Sequence, residues 1–402
     1  MKKLYLIFGC IVIASQLITM EIPILSSILW GFSIKYLLYY FFVGITVAVW
    51  ICGLIAKKSA PVYEWLFIPF MLLPTVIGLL NGIGFMAVFA DFSLYCMPIV
   101  VYMWAKAVKP DVRSCMIFFL AMNIFAAILS VFVSAGLLTS NIWAAEGQLI
   151  RTAGAIDSTL SMGGVTLCLV LLFTREGEQR KINKVFLYIS LAASLLASLL
   201  AQSRTRIVLI LICALLVCIF NIYDKKFTKT VKLAVGVIAI AIIAYFAFSE
   251  YIDRIFEQIF ERFEGAGIGG NADGNVTARQ KEQSAQLKAF LESPVLGHGY
   301  GIRENYSGMY VHNIYTSLLM QTGAVGFLIY IFWLFSMMIP SVKRVLKRSH
   351  STYDVVVMFF ATVLVVLGFT NASVFQSGGY FMLLIMFVIE RKKNEDEESL
   401  TV

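Results

Sequence analysis

Charge, histidine and metal-ligand spacing are all scarce in this sequence, and each shortage excludes something. Only 14% of the 402 residues are charged, well below the roughly 25% of a soluble globular chain, which sets aside a water-soluble enzyme. No nucleic-acid-binding motif is present, so the net charge of +8 needs another explanation. The seven cysteines (Cys10, Cys52, Cys96, Cys115, Cys168, Cys213, Cys218) fall within or at the ends of apolar runs, so no disulfide framework is implied. They lack zinc-ligand spacing, and Cys213 and Cys218 read as small apolar helix residues. No structural metal and no cofactor are expected. No stretch is long and polar enough to form a soluble nucleotide-binding domain, which disfavours a nucleotide-sugar transferase. There is no convincing internal repeat either, which disfavours a transporter built from two halves.

What is abundant is apolar sequence: 60% of residues are hydrophobic and the mean hydropathy is +0.84. A helix crosses the roughly 30 Å hydrocarbon layer in about 20 residues, and apolar runs of about that length recur between short charged connectors. The expectation is an all-α integral membrane protein, a single polytopic domain over 1–402. Its twelve spans lie near 4–20, 34–56, 63–80, 85–105, 114–137, 158–174, 185–203, 206–222, 231–249, 313–339, 355–371 and 377–390. One long extracytoplasmic loop, 250–312, holds short helices, and 391–402 forms a short cytoplasmic tail. "CIVIASQLITM" offers no convincing small-x-small cleavage site, so the first run is counted as a helix rather than a signal peptide. With both termini inside, the cytoplasmic connectors hold 22 of the 32 basic residues, as the positive-inside rule requires. Basic loops beside an anionic leaflet account for the +8 without a nucleic-acid partner.

On the other face the basic residues change in kind. Arg151, Arg204, Arg206, Arg254, Arg262, Arg279 and Arg303 stand there beside only Lys35, Lys281 and Lys288. Arginine presents a rigid fork of donors suited to carboxylate or phosphate; the plainer reading is contact with lipid phosphates, which is preferred for Arg254 and Arg262. In "LLASLLAQSRTRIVLILICALL" the apolar helix is interrupted at a sharp turn carrying Arg204 and Arg206. Two residues apart, they do not share a helix face, so one is expected to point into the bundle and the other to headgroups.

The long loop has parts. "YIDRIFEQIFERF" reads as an amphipathic surface helix. "GAGIGGNADGN" matches a GxGxxG pattern but neither follows a strand nor opens a βαβ unit, so it is taken as a flexible connector. "VTARQKEQSAQLKAFLES" is a second helix stopped by Pro294, carrying Arg279. "PVLGHGYG" places Gly297 and Gly299 around His298, where glycine lets backbone approach a ligand closely. The chain then re-enters the membrane at His312 and Asn313 in "VHNIYTSLLMQTGAVG".

"QSRTRIVL", "ARQKEQSAQLKAFLESPVLGHGYG" and "VHNIYTSLLMQTGAVGFLIY", in that order and around one long external loop, resemble the shared region of the O-antigen ligase and polymerase superfamily. These are bacterial integral-membrane glycosyltransferases that use lipid-diphosphate-linked glycans. The sequence departs from the family pattern in two places: no aromatic residue follows closely after Arg279, and Gln321 stands where an acidic residue is often found before the final glycine pair. The resemblance implies the bacterial inner membrane, an active site on the extracytoplasmic face, and membrane lipids and a lipid-diphosphate-linked oligosaccharide as partners. Other polysaccharide-assembly proteins are candidate partners.

The resemblance also implies roles. Arg204 and Arg279 would grip the diphosphate, with Arg206 and Arg151 (in "RTAGAID") as further binding candidates. His312 would take the proton from the attacking hydroxyl, and Asn313 would orient the ring or the acceptor. His298 is an alternative base, and Gly297 and Gly299 shape access. Asp91 is an intramembrane carboxylate, and so either functional or the partner of an external arginine. His350, in a basic internal loop, is set aside. Against these stand plainer roles: a histidine and an asparagine at a membrane boundary also serve to solvate and cap a helix start. Three functions remain open: a polysaccharide polymerase, which is preferred; a ligase passing the finished glycan to a lipid core or a protein; and a flippase for lipid-linked oligosaccharide.

Overall fold

Short polar residues set several helix starts. Asp111 accepts from Ser114 N at 2.9 Å, Asn183 from Val185 N at 2.9 Å, and Ser351 with Asp354 forms a capping box, each satisfying donors that a helix start leaves orphaned. In this computed structural model twelve helices are described. They are α1 (Lys2–Ser15), α2 (Phe32–Ala56), α3 (Val62–Leu80), α4 (Phe85–Val108), α5 (Val112–Ser134), α6 (Ser158–Thr174), α7 (Lys184–Leu200), α8 (Arg204–Tyr223), α9 (Gly274–Glu292), α10 (Ile314–Leu346), α11 (Thr352–Gly368) and α12 (Ser377–Thr401). The structure describes residues 2–17, 32–56, 62–138, 158–174, 182–201, 204–223, 274–302, 313–347, 351–369 and 377–401, with five isolated positions between 228 and 257.

Eleven of these helices coincide with predicted spans, and α9 is the predicted second loop helix. The predicted span 231–249 and the amphipathic helix of "YIDRIFEQIFERF" lie outside the described residues but for isolated positions, and of the glycine-rich connector only Gly274 and Asn275 are described, as the first residues of α9. Among the described residues, four helices are long and apolar enough to cross a bilayer by themselves: Phe85–Val108, Val112–Ser134, Thr205–Tyr223 and Ile314–Leu346. Others are shorter; α6, α7 and α11 have 17 residues each, about 26 Å of helix, the short end of a crossing. The helix of α12 runs on past the predicted span end at 390 to Thr401.

The core is layered around α6, whose residues from Thr159 to Leu171 are all buried. It is apolar on every side, as a fully enclosed helix must be. It packs on α5, α7, α8, α11 and α12, and glycines permit the closest approaches. A Cβ on Gly164 would lie 2.4 Å from Asn123 Oδ1, and one on Gly378 of α12 would lie 2.1 Å from Leu160 N, the small-residue packing that membrane bundles use. The outside is apolar too. On α8, Leu211, Leu215, Ile219 and Ile222 are each more than half exposed, a stripe along one face that only lipid or a partner would cover.

Candidate functional site at a broken helix

α10 is not continuous. Gly323, in "MQTGAVG", has φ 62 and ψ −169, a conformation that favours glycine and interrupts the helical ladder about a third of the way along. Inside a bundle each freed backbone group needs a partner, and the loop after α9 supplies four. His298 N donates to Met320 O at 3.0 Å and Gly299 N to Gln321 O at 2.9 Å; Ala324 N donates to Pro294 O at 2.8 Å and Val325 N to Val295 O at 3.1 Å.

The other side of this loop meets α3, where proline does the same work. Pro74 has no N–H to give Phe70 O, and Tyr300 Oη donates there instead at 3.1 Å, while Tyr300 N donates to Pro74 O at 2.9 Å. The loop is thereby wedged between two interrupted helices. Space is tight: Gly297, Gly299 and Gly301 have φ of 72, 89 and 86, and a Cβ on Gly299 would lie 2.1 Å from Gly78 N.

Gly299→Ala should therefore cost about 3 kcal/mol, from roughly 1–2 for the left-handed backbone and roughly 1–3 for overpacking. Gly82→Ala is the control, because Gly82 also has positive φ but nothing within 4 Å of its Cβ position. Thermal melts of the two purified variants decide the matter. A Gly299→Ala melt no lower than that of Gly82→Ala would contradict the packing account.

Polar side chains converge on the same corner. Asp91 Oδ2 accepts from Gly301 N at 3.0 Å, so this intramembrane carboxylate holds the loop. The Asn81 amide donates to His298 O at 2.9 Å. His298 Nε2 donates to Ala289 O at 2.8 Å, which ties the ring to the end of α9. Asn313 Oδ1 accepts from Tyr315 N at 2.9 Å and Thr316 N at 3.3 Å, capping α10. Thr316 Oγ1 then donates to Gln286 Oε1 at 2.5 Å, and Gln286 Nε2 donates to Glu282 Oε1 at 3.2 Å.

These contacts fix the course of α9. Gln286 faces Thr316, and further along the chain Pro294 and Val295 bond Ala324 and Val325, so α9 runs alongside the first turns of α10 in the same direction. Arg279 stands two turns before Gln286 on nearly the same face, about 10 Å further out by helical rise, beyond the capped start of α10. Its side chain is exposed.

Gly297, Gly299, His298, Asp91, Asn313 and the helix bearing Arg279 are thus brought to one corner of the bundle. Arg206 is 6% exposed in the first turn of α8, so of the neighbouring pair it is the one seen to enter the protein. α8 packs chiefly on α6, α7 and α11, a different group of helices from the one α9 joins. Arg204 opens α8 with its side chain outside the described residues, and His312 and Arg151 lie outside them altogether.

Sequence reasoning passed over Tyr95, Gln286 and Ser317. Tyr95 Oη bonds Ser317 Oγ at 2.5 Å and accepts from Gln321 Nε2 at 3.2 Å, all three buried. Two signals were available, because Asp91 and Tyr95 on α4, and Ser317 and Gln321 on α10, are each four apart and share a face.

Residues 189–331 match the family model described as O-antigen ligase. Over that segment the chain resembles the O-antigen ligase and polymerase superfamily. Members of this superfamily are membrane enzymes of the glycosyltransferase type acting on lipid-linked glycans, and the apolar helices agree with that setting. The matched segment runs from the start of α7 into α10, and so takes in α8, α9, the wedged loop and the Gly323 break. Asp91, Tyr95 and Pro74 lie outside the O-antigen ligase match yet contribute to the same corner. No curated protein matches the sequence.

Proposed function

We propose that the protein is a bacterial surface-polysaccharide polymerase, for O-antigen, capsule or exopolysaccharide, working on the extracytoplasmic face of the inner membrane with both termini in the cytoplasm. The acceptor hydroxyl of a lipid-linked repeat unit attacks the anomeric carbon of the donor glycan. A new glycosidic C–O bond forms, the bond to the polyprenyl diphosphate breaks, and the diphosphate leaves with the electron pair. The hydroxyl proton goes to His312. Arg204 and Arg279 meet the charge that grows on the diphosphate, with Arg206 and Arg151 as further binding residues. Asn313 spends Oδ1 on the helix cap, so its Nδ2 donors are the ones left to orient the acceptor.

The observation that carries this reading is the placement of α9 inside the family-matched segment. It is a helix bearing Arg279, docked through Gln286 and Thr316 against the capped start of α10, one residue from His312. A ligase of the same superfamily is the second reading, favoured by the description of the matched family itself.

The test is to incubate purified protein with a lipid-diphosphate-linked repeat unit in detergent and chelator, and to resolve the products by size. A ladder of longer lipid-linked glycans is the expected result and marks a metal-independent polymerase. Unchanged substrate, with the correct repeat unit verified, would sink the polymerase reading in favour of a ligase awaiting another acceptor, or of a flippase.

A further inference from the structure

Among the described side chains of α9 only Gln286 and Ala289 are buried, while Leu287 is exposed and Leu291 is 73% exposed. Val295 and Leu296, in the turn that follows, are exposed as well. An amide inside and leucines outside is the wrong order for a helix in water. Depth explains it. Leu296 lines a crevice with Pro69 and Leu73 of α3 and Val325 and Ile329 of α10. Leu73 and Pro69 stand about 10 and 16 Å by helical rise from the Leu80 end of α3. The 19 residues of α3 span about 28 Å, close to the roughly 30 Å of a hydrocarbon layer, so Leu296 lies between a third and half of the way across.

The chain goes in along one helix and comes out along another. On the way in Gln286 meets Thr316, then Pro294 meets Ala324 nearly a dozen residues further down α10. On the way out Gly299 packs on Gly78, and Gly301 on Ile83 and Ala87 at the turn between α3 and α4. Irregular backbone at such depth has to be satisfied by protein, and the bonds to Met320, Gln321 and Pro74 do this. The surfaces beside the turn are apolar and open. Leu73 and Val325, which share the crevice with Leu296, are themselves exposed, and Leu72, Val76 and Leu328 extend that surface along α3 and α10.

We propose that the second half of α9 and the turn after it form a re-entrant segment, with Leu287, Leu291, Val295 and Leu296 lying against the acyl chains of the bilayer. These side chains continue the lipid-facing surface of α3 and α10, which is why lipid is their occupant. Lys281, Lys288 and Glu292 fall on a separate exposed stripe of α9, and that stripe faces water. Immersing the leucines sets the height of the helix. Arg279, about 18 Å before Leu291 by helical rise, is thereby held at the level of the lipid headgroups. The immersion requires the chain to lie in a bilayer but not any particular role for His312 or the arginines.

The test places nitroxide labels on Leu291→Cys and Leu296→Cys in full-length protein reconstituted in phosphatidylethanolamine–phosphatidylglycerol vesicles. Leu328→Cys serves as the lipid-facing reference and Lys288→Cys as the wet one. Cys52, the native cysteine that is exposed, is replaced in all by Cys52→Ser. Collision of each label with oxygen, which concentrates in hydrocarbon, is compared with collision with a water-soluble nickel chelate. Leu291 and Leu296 should match Leu328, with oxygen favoured, and Lys288 should show the reverse ratio. Both positions are exposed, so their exchange should cost little stability; Val295→Cys takes the place of Leu296→Cys if that variant does not fold. Chelate access at Leu291 and Leu296 equal to that at Lys288 would overturn the immersion. Exclusion of both reagents would mean that protein rather than lipid covers the face, and would overturn the proposal as well.

Discussion

Purified His312→Ala should transfer glycan about 10²–10⁴-fold more slowly than the wild type, the usual contribution of a positioned general base. The acceptor hydroxyl is a weak nucleophile until its proton is removed, and an unperturbed histidine, with a pKa near about 6.5, accepts one in the neutral range. The wild-type rate should therefore fall as pH drops and the ring becomes protonated, while the residual rate of His312→Ala should lose that limb. The pH profile separates a base from a helix-start residue, whose removal would lower stability and leave the profile in place. His298 is the competing base, but its Nε2 is tied to Ala289 O and its backbone N–H to Met320 O. His298→Ala is expected to loosen the loop, lowering the melting temperature while retaining the pH dependence. The reverse pattern, with the pH limb lost in His298→Ala and kept in His312→Ala, would move the base to the loop.

How much of this corner was legible in advance depends on what kind of information each part needed. The helices were, because apolar runs of bilayer length are written directly in the sequence, and Asn313 as a cap followed from its residue type at an apolar boundary. Pro294 ended α9 as expected. The break at Gly323 was not foreseen, since "QTGAVG" is compatible with a continuous helix. Only the four backbone bonds from residues 294–299 make the interruption affordable. Asp91 was read as a functional group or an arginine's partner. One contact that it makes is with the backbone N–H of Gly301, a pairing across 210 residues that no local pattern reports. The depth of Arg206 likewise depends on how α8 is rotated against α6 and α11, which packing decides.

Arg279→Lys should lower the rate by about 10²–10³-fold, comparable to removing one donor aimed at developing charge. Lysine keeps the charge but presents it as a point on a flexible stem, where arginine offers a planar fork that matches two phosphate oxygens together. Because the charge on the diphosphate grows as the anomeric bond breaks, the loss should fall mainly on kcat, with KM changed much less. Arg279 is well suited to this measurement. Its side chain is exposed on α9 and far from the Gln286–Thr316 contact that docks the helix, so the substitution should shift stability by no more than about 0.5 kcal/mol. A slow but stably folded enzyme then reports on chemistry. Arg204→Lys is expected to behave the same way. The buried Arg206 is a poorer probe, since its exchange would disturb packing as well as charge. Wild-type kcat in both Arg279→Lys and Arg204→Lys would mean that these arginines merely contact headgroups, and the diphosphate would have to be met by Arg206 and Arg151.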